Sequence, residues 1–110
     1  MIIGKTFTFE ASHYLPGHEK CGKMHGHTYK VTVEVIGFID PNGMVMDLHE
    51  LGKKVKSVIE KYDHTTLNNF FEIPSCENIA EGIFEELRPQ MPLYSVQVQE
   101  GEGGYARCER

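Results

Sequence analysis

The sequence lacks the features that several large classes of protein require. No apolar run approaches the ~20 consecutive residues that a membrane-spanning helix needs. Residues 1–5 show no basic region followed by a long apolar stretch, so we expect no secretory signal. The net charge is −5 at pH 7 and no basic stripe stands out, which disfavours nucleic-acid binding. We therefore expect a cytoplasmic protein that binds neither membranes nor nucleic acids.

Cysteine is scarce and shows no motif typical of a structural metal site. The chain has three cysteines, Cys21, Cys76 and Cys108, and no Cys-x-x-Cys pair, which makes a zinc ribbon improbable. An odd number of cysteines without an export signal indicates free thiols in a reducing compartment.

The chain is short, with 110 residues, of which 40% are hydrophobic. These values predict one globular domain over residues 1–110. A domain of this size buries roughly two-thirds of its unfolded surface, enough for a core but not for a deep cleft. A functional site in so small a domain often lies between subunits, so we expect a homo-oligomer.

Alternation of apolar and polar residues predicts two strands near the N-terminus. Residues 3–13 place Phe7, Phe9, Ala11 and His13 on one face. Residues 27–36 alternate in the same way, with Tyr29 and three valines sharing a face. The sequence Asp-Pro-Asn-Gly at 40–43 is typical of a turn, and we expect a short strand at 44–46 after it.

Helical periodicity and capping residues predict two helices after this turn. Asp47 is the expected N-cap of the first helix and Ser75 that of the second, which Pro89 ends. Two more strands follow, at 94–100 and 105–108. The order is ββααββ, which predicts an α+β fold with an antiparallel four-stranded sheet and two helices on one face.

Three histidines form a candidate metal site. His25 and His27 are two residues apart on a strand, so both side chains project to the same face. His13 ends the preceding strand and approaches them if the two strands form a hairpin. Three imidazoles and one open position are typical of catalytic zinc, although a His-x-His pair is often only a satisfied polar cluster. His18 is a weaker loop candidate, and we expect His49 to be exposed.

Four other residues are candidates for proton transfer or ligand binding. Cys21 precedes His25 by four positions, so its thiol is a base or nucleophile near the metal, an inert thiol or a fourth ligand. Asp63 and His64 follow the first helix, either as a proton-transfer pair or as a helix-end histidine with its neighbour. Glu100 lies on an apolar strand face, where it either pairs with a ligand or reaches solvent.

The ordered set of these motifs resembles the 6-pyruvoyl-tetrahydropterin synthase superfamily. The matching segments span nearly the whole chain and are found at 7–13, 21–27, 43–47, 63–68, 74–78 and 98–100. The three residues between Cys21 and His25 resemble the carboxy-pterin-forming branch, which serves queuosine and other 7-deazaguanine pathways. The pyruvoyl-forming branch tends to have a longer spacing there.

The resemblance implies the tunnelling fold, in which subunit sheets assemble into barrels, commonly as a hexamer built from two trimers. It implies a zinc-dependent lyase whose substrate is the pterin 7,8-dihydroneopterin triphosphate. The implied products are 6-carboxy-5,6,7,8-tetrahydropterin, acetaldehyde and triphosphate. Two alternatives stay open: the formation of a pyruvoyl-pterin without loss of carbon, and a non-catalytic zinc-stabilised binding module.

The resemblance also implies roles for individual residues. Zinc would be held by the three histidines His13, His25 and His27. Cys21 would act as a general base, and His64, oriented by Asp63, would be its acid/base partner.

The pterin-binding residues implied by the resemblance are Glu100, Ser75 and Glu77. Glu100 would accept hydrogen bonds from the N–H edge of the ring. No role follows for Cys76 or Cys108.

Overall fold

A five-stranded sheet with two helices packed on one face forms the body of the protein. The computed structural model describes residues 1–110. The strands and helices, in chain order, are β1 (Ile2–His13), β2 (His25–Ile36), α1 (Leu48–Ile59), β3 (Thr65–Thr66), α2 (Cys76–Leu87), β4 (Leu93–Glu100) and β5 (Tyr105–Glu109). Two 3₁₀ turns lie at Leu67–Asn69 and Arg88–Gln90. None of the helices is long and apolar enough to cross a membrane.

The sheet has the strand order β3-β1-β2-β4-β5. The pairs β1–β2, β2–β4 and β4–β5 are antiparallel, and β3 is parallel to β1. The expected α+β class and the two helices on one face are confirmed, but the expected count of four strands is wrong. The fifth strand has only two residues, too few for alternation to reveal it.

The expected strand at 44–46 is also absent. Residues 45 and 46 form bends rather than a ladder, because β1 begins at Ile2 and β2 ends at Ile36, which leaves no neighbouring strand for them. Val45 and Met46 instead pack against the edge of the core.

The helices begin at the predicted capping residues. The Asp47 carboxylate accepts a hydrogen bond from the backbone N–H of His49 at 2.8 Å. The Ser75 hydroxyl accepts one from the backbone N–H of Asn78 at 3.2 Å. Each cap satisfies a backbone donor that the first helical turn leaves free, which explains why α1 and α2 begin where they do.

Burial of one face of β2 determines which way its histidines point. Tyr29, Val31, Val33 and Val35 are fully buried beneath the helices. A slip of one residue would expose all four, at roughly 1.5–3 kcal/mol for each buried side chain. The same slip would turn the odd-numbered His25 and His27 to the opposite face, so the apolar core determines the register on which the histidine site depends.

Candidate metal centre

Three imidazoles meet where the β1–β2 hairpin opens. His13 ends β1 and lies directly opposite His25, the first residue of β2. His27 follows on the same face of β2, opposite Ala11. The ring nitrogens of the three histidines that can bind a metal lie within 4.8 Å of one another. The structure therefore brings the three predicted ligands together at one point.

Hydrogen bonds orient two of these rings. The Nδ1 atom of His13 is 2.8 Å from the carbonyl oxygen of Pro74, and that of His25 is 2.7 Å from the carbonyl oxygen of Lys23. A carbonyl can only accept, so each Nδ1 carries the proton and each neutral ring leaves its Nε2 as a bare lone pair. This is the arrangement in which an outer hydrogen bond fixes the tautomer of a metal-binding histidine.

The inward-facing nitrogens lack a suitable partner among the protein atoms. The two Nε2 atoms of His13 and His25 lie 3.1 Å apart, and in the neutral tautomers neither has a proton to donate. The Nε2 of His27 is buried and has no hydrogen-bond partner. Three lone pairs that converge in a partly buried space are stabilised by a cation. This donor set fits a divalent metal ion that prefers nitrogen ligands, such as zinc.

The surroundings of His27 favour the neutral ring that metal binding needs. Burial lowers the pKa of His27, and the neighbouring imidazoles of His13 and His25 lower it further, whereas the Glu100 carboxylate acts in the opposite direction. Because burial is the largest of these effects, the net direction is downward. At neutral pH the imidazole is therefore in the form that can bind a metal.

Glu100 lies beside the histidines at the end of β4. One carboxylate oxygen is 3.8 Å from His13 Nε2 and the other is 3.8 Å from His27 Nε2. Glu100 also lines a cavity of about 270 Å³ whose wall includes Ser75 and Glu77. The three residues predicted to bind substrate therefore share one small cavity next to the imidazoles.

Cys21 lies in the loop between β1 and β2 and is partly buried. Its backbone N–H donates to His18 Nδ1 at 2.9 Å, and its carbonyl accepts from the backbone N–H of Leu15 at 2.7 Å. The Cys21 thiol is not part of the group of metal-ligating atoms that the three histidines form. His18 is exposed and its ring stabilises this loop, while His49 is exposed on α1 as expected.

Asp63 and His64 form a pair at the edge of β1. Asp63 Oδ2 and His64 Nδ1 are 2.9 Å apart, and Asp63 Oδ1 accepts from the backbone N–H of Glu10 at 2.9 Å. The Glu10 N–H, followed by the His64 hydrogen bond, lowers the pKa of Asp63. Because its pKa is lowered, the Asp63 carboxylate is ionised, and its hydrogen bond orients the His64 ring. His64 itself adopts a left-handed backbone conformation, with φ of 59°.

This pair does not join the histidine group of its own subunit. The His64 side chain is 78% exposed. It borders a cavity of about 550 Å³ whose wall includes Glu10, Ser12 and Thr28, and also His27. Side chains alternate along a strand, so the first three of these residues point away from the face that carries His13 and His27. The expected catalytic pair is thus outside both the ligand group and the Glu100 cavity, and the His64 ring is accessible to another molecule.

Two buried polar residues near Glu100 had no predicted role. Cys76 begins α2 and lines the cavity that contains Glu100. Tyr29 lies two residues after His27 and is fully buried, and its hydroxyl has no hydrogen-bond partner. Alternation along β2 places Tyr29 on the histidine face, but only the packed structure reveals that its hydroxyl has no partner.

Comparison with known proteins identifies one family over nearly the entire chain. Residues 2–110 match the family model described as 6-pyruvoyl tetrahydropterin synthase. A solved 6-pyruvoyl tetrahydropterin synthase from Caenorhabditis elegans superposes with a TM-score of 0.90 at 28% identity. The match covers 100% of this chain and 95% of the nematode chain.

Three relatives carry names for two different reactions. A protein of Archaeoglobus fulgidus, provisionally named 6-carboxy-5,6,7,8-tetrahydropterin synthase, is 48% identical and covers 100% of this chain and 96% of its own. A Synechocystis 6-carboxy-5,6,7,8-tetrahydropterin synthase is 39% identical, with 90% and 85% covered. A dihydroneopterin monophosphate aldolase of Pyrococcus furiosus is also 39% identical, with 77% and 73% covered.

Proposed function

Because the chain belongs to the 6-pyruvoyl tetrahydropterin synthase family, we propose that it is a zinc-dependent carbon–carbon lyase. Its substrates would be 7,8-dihydroneopterin triphosphate and water, and its products 6-carboxy-5,6,7,8-tetrahydropterin, acetaldehyde and triphosphate. The observation that carries this proposal is the convergence of three oriented imidazoles beside a carboxylate-lined cavity. The 48% identity to the A. fulgidus relative over the whole chain favours the carboxy-pterin product.

Zinc bound to His13, His25 and His27 would supply Lewis-acid stabilisation of negative charge on the oxygen atoms of the substrate side chain. The protein's own hydrogen bonds prepare these ligands, since the carbonyls of Pro74 and Lys23 hold two of the rings with Nε2 inward. The neutral state of His27 avoids competition between a proton and the metal.

Glu100 would bind the pterin ring. An ionised carboxylate offers two oxygens in one plane, which suits an edge that presents two N–H donors. The cavity beside it places Ser75 and Glu77 along the same wall. Ring binding here would bring the side chain of the pterin close to the imidazoles, which are 3.8 Å from Glu100.

Cys21 and the Asp63–His64 pair would transfer protons. The Cys21 thiol would act as general base from the loop between β1 and β2. His64, held by the ionised Asp63 at 2.9 Å, would be the partner acid or base. Because His64 is exposed at the edge of its sheet and does not line the Glu100 cavity, we propose that it acts on the site of a neighbouring subunit.

This arrangement requires a homo-oligomer, which we propose to be a hexamer of two trimers with sheets joined into barrels. The enzyme would be cytoplasmic and its product would feed the biosynthesis of a 7-deazaguanine such as queuosine. No binding to nucleic acid or membrane is part of this function.

Two sister reactions are the main alternatives. The C. elegans structure favours pyruvoyl-tetrahydropterin formation, in which triphosphate leaves without loss of carbon. The P. furiosus relative favours cleavage of dihydroneopterin monophosphate. A non-catalytic zinc-binding module would leave Cys21, the Asp63–His64 pair and Glu100 without a use.

The deciding experiment measures acetaldehyde and product mass after zinc-loaded protein is incubated with 7,8-dihydroneopterin triphosphate. Acetaldehyde together with a carboxy-pterin mass supports the proposal. A pyruvoyl-pterin mass without acetaldehyde, or turnover of the monophosphate alone, would assign the chain to a sister reaction. The matched control is His49→Ala, which removes an exposed histidine on α1 and should leave turnover unchanged.

A further inference from the structure

Two polar side chains near Glu100 have no part in the proposed reaction. They are the Tyr29 hydroxyl, opposite Glu100 in the sheet, and the Cys76 thiol, in the wall of the same cavity. Cys76 is 9% exposed and Tyr29 is fully buried. Two neutral hydrogen-bond donors thus lie close to a carboxylate, which is an acceptor only.

Tyr29 is brought to Glu100 by the sheet. The two residues lie directly opposite each other on β2 and β4, so their side chains share one face. The Tyr29 ring stacks on Phe9, with ring centroids 5.0 Å apart and an angle of 11° between the planes. This packing fixes the ring, yet the buried hydroxyl has no partner. A buried hydroxyl without an acceptor is costly, so its presence here calls for an acceptor that can reach it.

Cys76 is brought to Glu100 by α2. It follows the Ser75 cap, and its side chain lines the same 270 Å³ cavity as Glu100. Burial and the interaction with Glu100 raise the pKa of the Cys76 thiol to about 12. The Cys76 thiol therefore remains a protonated donor at neutral pH, and a tyrosine hydroxyl is ordinarily a donor as well.

The Glu100 carboxylate has competing partners among the imidazoles. Its two oxygens are 3.8 Å from the inward nitrogens of His13 and His27. If the carboxylate turned fully towards a cation bound by these imidazoles, it could no longer accept hydrogen bonds from a ligand in the cavity. The Cys76 thiol, a donor in the wall of the cavity, opposes that movement.

We propose that Cys76, assisted by Tyr29, is a positioning residue that holds the Glu100 carboxylate towards the cavity, so that its free lone pairs face the N–H edge of a bound heterocycle. This inference rests on the proposed function, because it assumes that the heterocycle is a pterin. It adds a role, exerted through Glu100, for two residues of this chain to which the proposed reaction assigns none.

The test uses zinc-loaded full-length protein and the unreactive, fluorescent pterin neopterin. Cys76→Ala removes the donor and should weaken neopterin binding about tenfold, as expected for a lost hydrogen bond to a charged group. Cys76→Ser keeps a donor and should restore binding to within about threefold of the unmodified protein. Tyr29→Phe should weaken binding without lowering the melting temperature. With 7,8-dihydroneopterin triphosphate, Cys76→Ala should raise KM and leave kcat nearly unchanged.

Cys108→Ala is the matched control, since Cys108 is a partly buried cysteine on β5 outside this cavity. Equal neopterin affinity in Cys76→Ala and unmodified protein would overturn the proposal, and so would equally weak binding in Cys76→Ser and Cys76→Ala.

A second measurement needs neither turnover nor a stable Cys76 variant. The infrared S–H stretching band of Cys76 should move to higher frequency in Glu100→Gln, because a neutral amide is a weaker acceptor than a carboxylate. An unchanged band would overturn the proposal even if the lyase activity is found. A shifted band in a protein without lyase activity would support the positioning role while the proposed reaction fails.

Discussion

The Nε2 atoms of His13 and His25 lie 3.1 Å apart, although the hydrogen bonds that both rings make through Nδ1 leave neither Nε2 a proton to donate. Two lone pairs at this distance repel each other unless a cation lies within reach of both. The His27 Nε2 adds a third buried acceptor without a partner. The fold thus holds three acceptors together at a cost that a bound metal would offset.

Metal removal should therefore destabilise the protein measurably. Zinc present at about a thousandfold its dissociation constant adds about 4 kcal/mol to the free energy of unfolding. We expect a chelator to lower the melting temperature in calorimetry, and His13→Ala to abolish bound zinc in elemental analysis. His49→Ala is the control and should retain full zinc content. Full zinc content in His13→Ala would refute the assigned ligand set.

The stability of the metal-free protein should fall in mild acid. The folded-state pKa of His27 lies below its ordinary value of 6.5, so the unfolded chain binds more protons in this range. The stabilising contribution is fully present above pH 6.5 and is lost as the pH falls through the folded-state pKa. Urea unfolding at pH 7.5 and pH 5.5 measures this difference. His27→Leu should reduce the dependence, and an equal dependence in that variant would assign it to other groups.

Much of this architecture could be predicted because it depends on short-range patterns. Alternation along β1 and β2 identified the buried face, and that face includes all three histidines. The capping residues Asp47 and Ser75 identified where both helices begin. Strand β3 was not predicted, because its two residues are too few to show an alternating pattern and only their pairing with β1 defines the strand.

The parts of the site that could not be predicted depend on packing between distant segments. Pro74 and Lys23 act through backbone carbonyls, which no side-chain pattern reveals. The unpaired hydroxyl of Tyr29 is evident only once α2 covers β4. The position of His64 at the edge of β1 likewise depends on how the chain turns after α1.

Glu100→Gln should impair ligand binding while zinc binding persists. The amide replaces one acceptor oxygen by a donor, which opposes an edge that presents two N–H groups. We expect neopterin affinity to fall about tenfold to a hundredfold, the range for lost hydrogen bonds to a charged group. Fluorescence titration measures this, with zinc content determined in parallel. Glu102→Gln, in the exposed turn that follows, is the control. Equal losses in both variants would remove Glu100 from the binding site.

Ser75→Ala should reduce stability through loss of the α2 cap. The hydroxyl accepts from Asn78 N at 3.2 Å, and loss of such a cap costs about 1 kcal/mol. Asp47→Ala removes the corresponding cap of α1, outside the Glu100 cavity, and should cost a similar amount in urea unfolding. If Ser75 also contacts the pterin, KM should rise in Ser75→Ala but not in Asp47→Ala. Unchanged KM in both variants would limit Ser75 to its capping role.

Cys21→Ala and His64→Ala should each be inactive alone and complement each other when mixed. Loss of a general acid or base typically lowers kcat by 10²–10⁴-fold. Because His64 is 78% exposed and does not line the Glu100 cavity, a site would take Cys21 from one subunit and His64 from the next. Subunits of the two variants, exchanged by joint unfolding and refolding, would then form some sites with both residues intact. We expect acetaldehyde release to return in the mixture and to be absent when each variant is refolded alone. If mixed oligomers form and stay inactive, both residues act within one subunit, and the exposed position of His64 would require a conformational change instead.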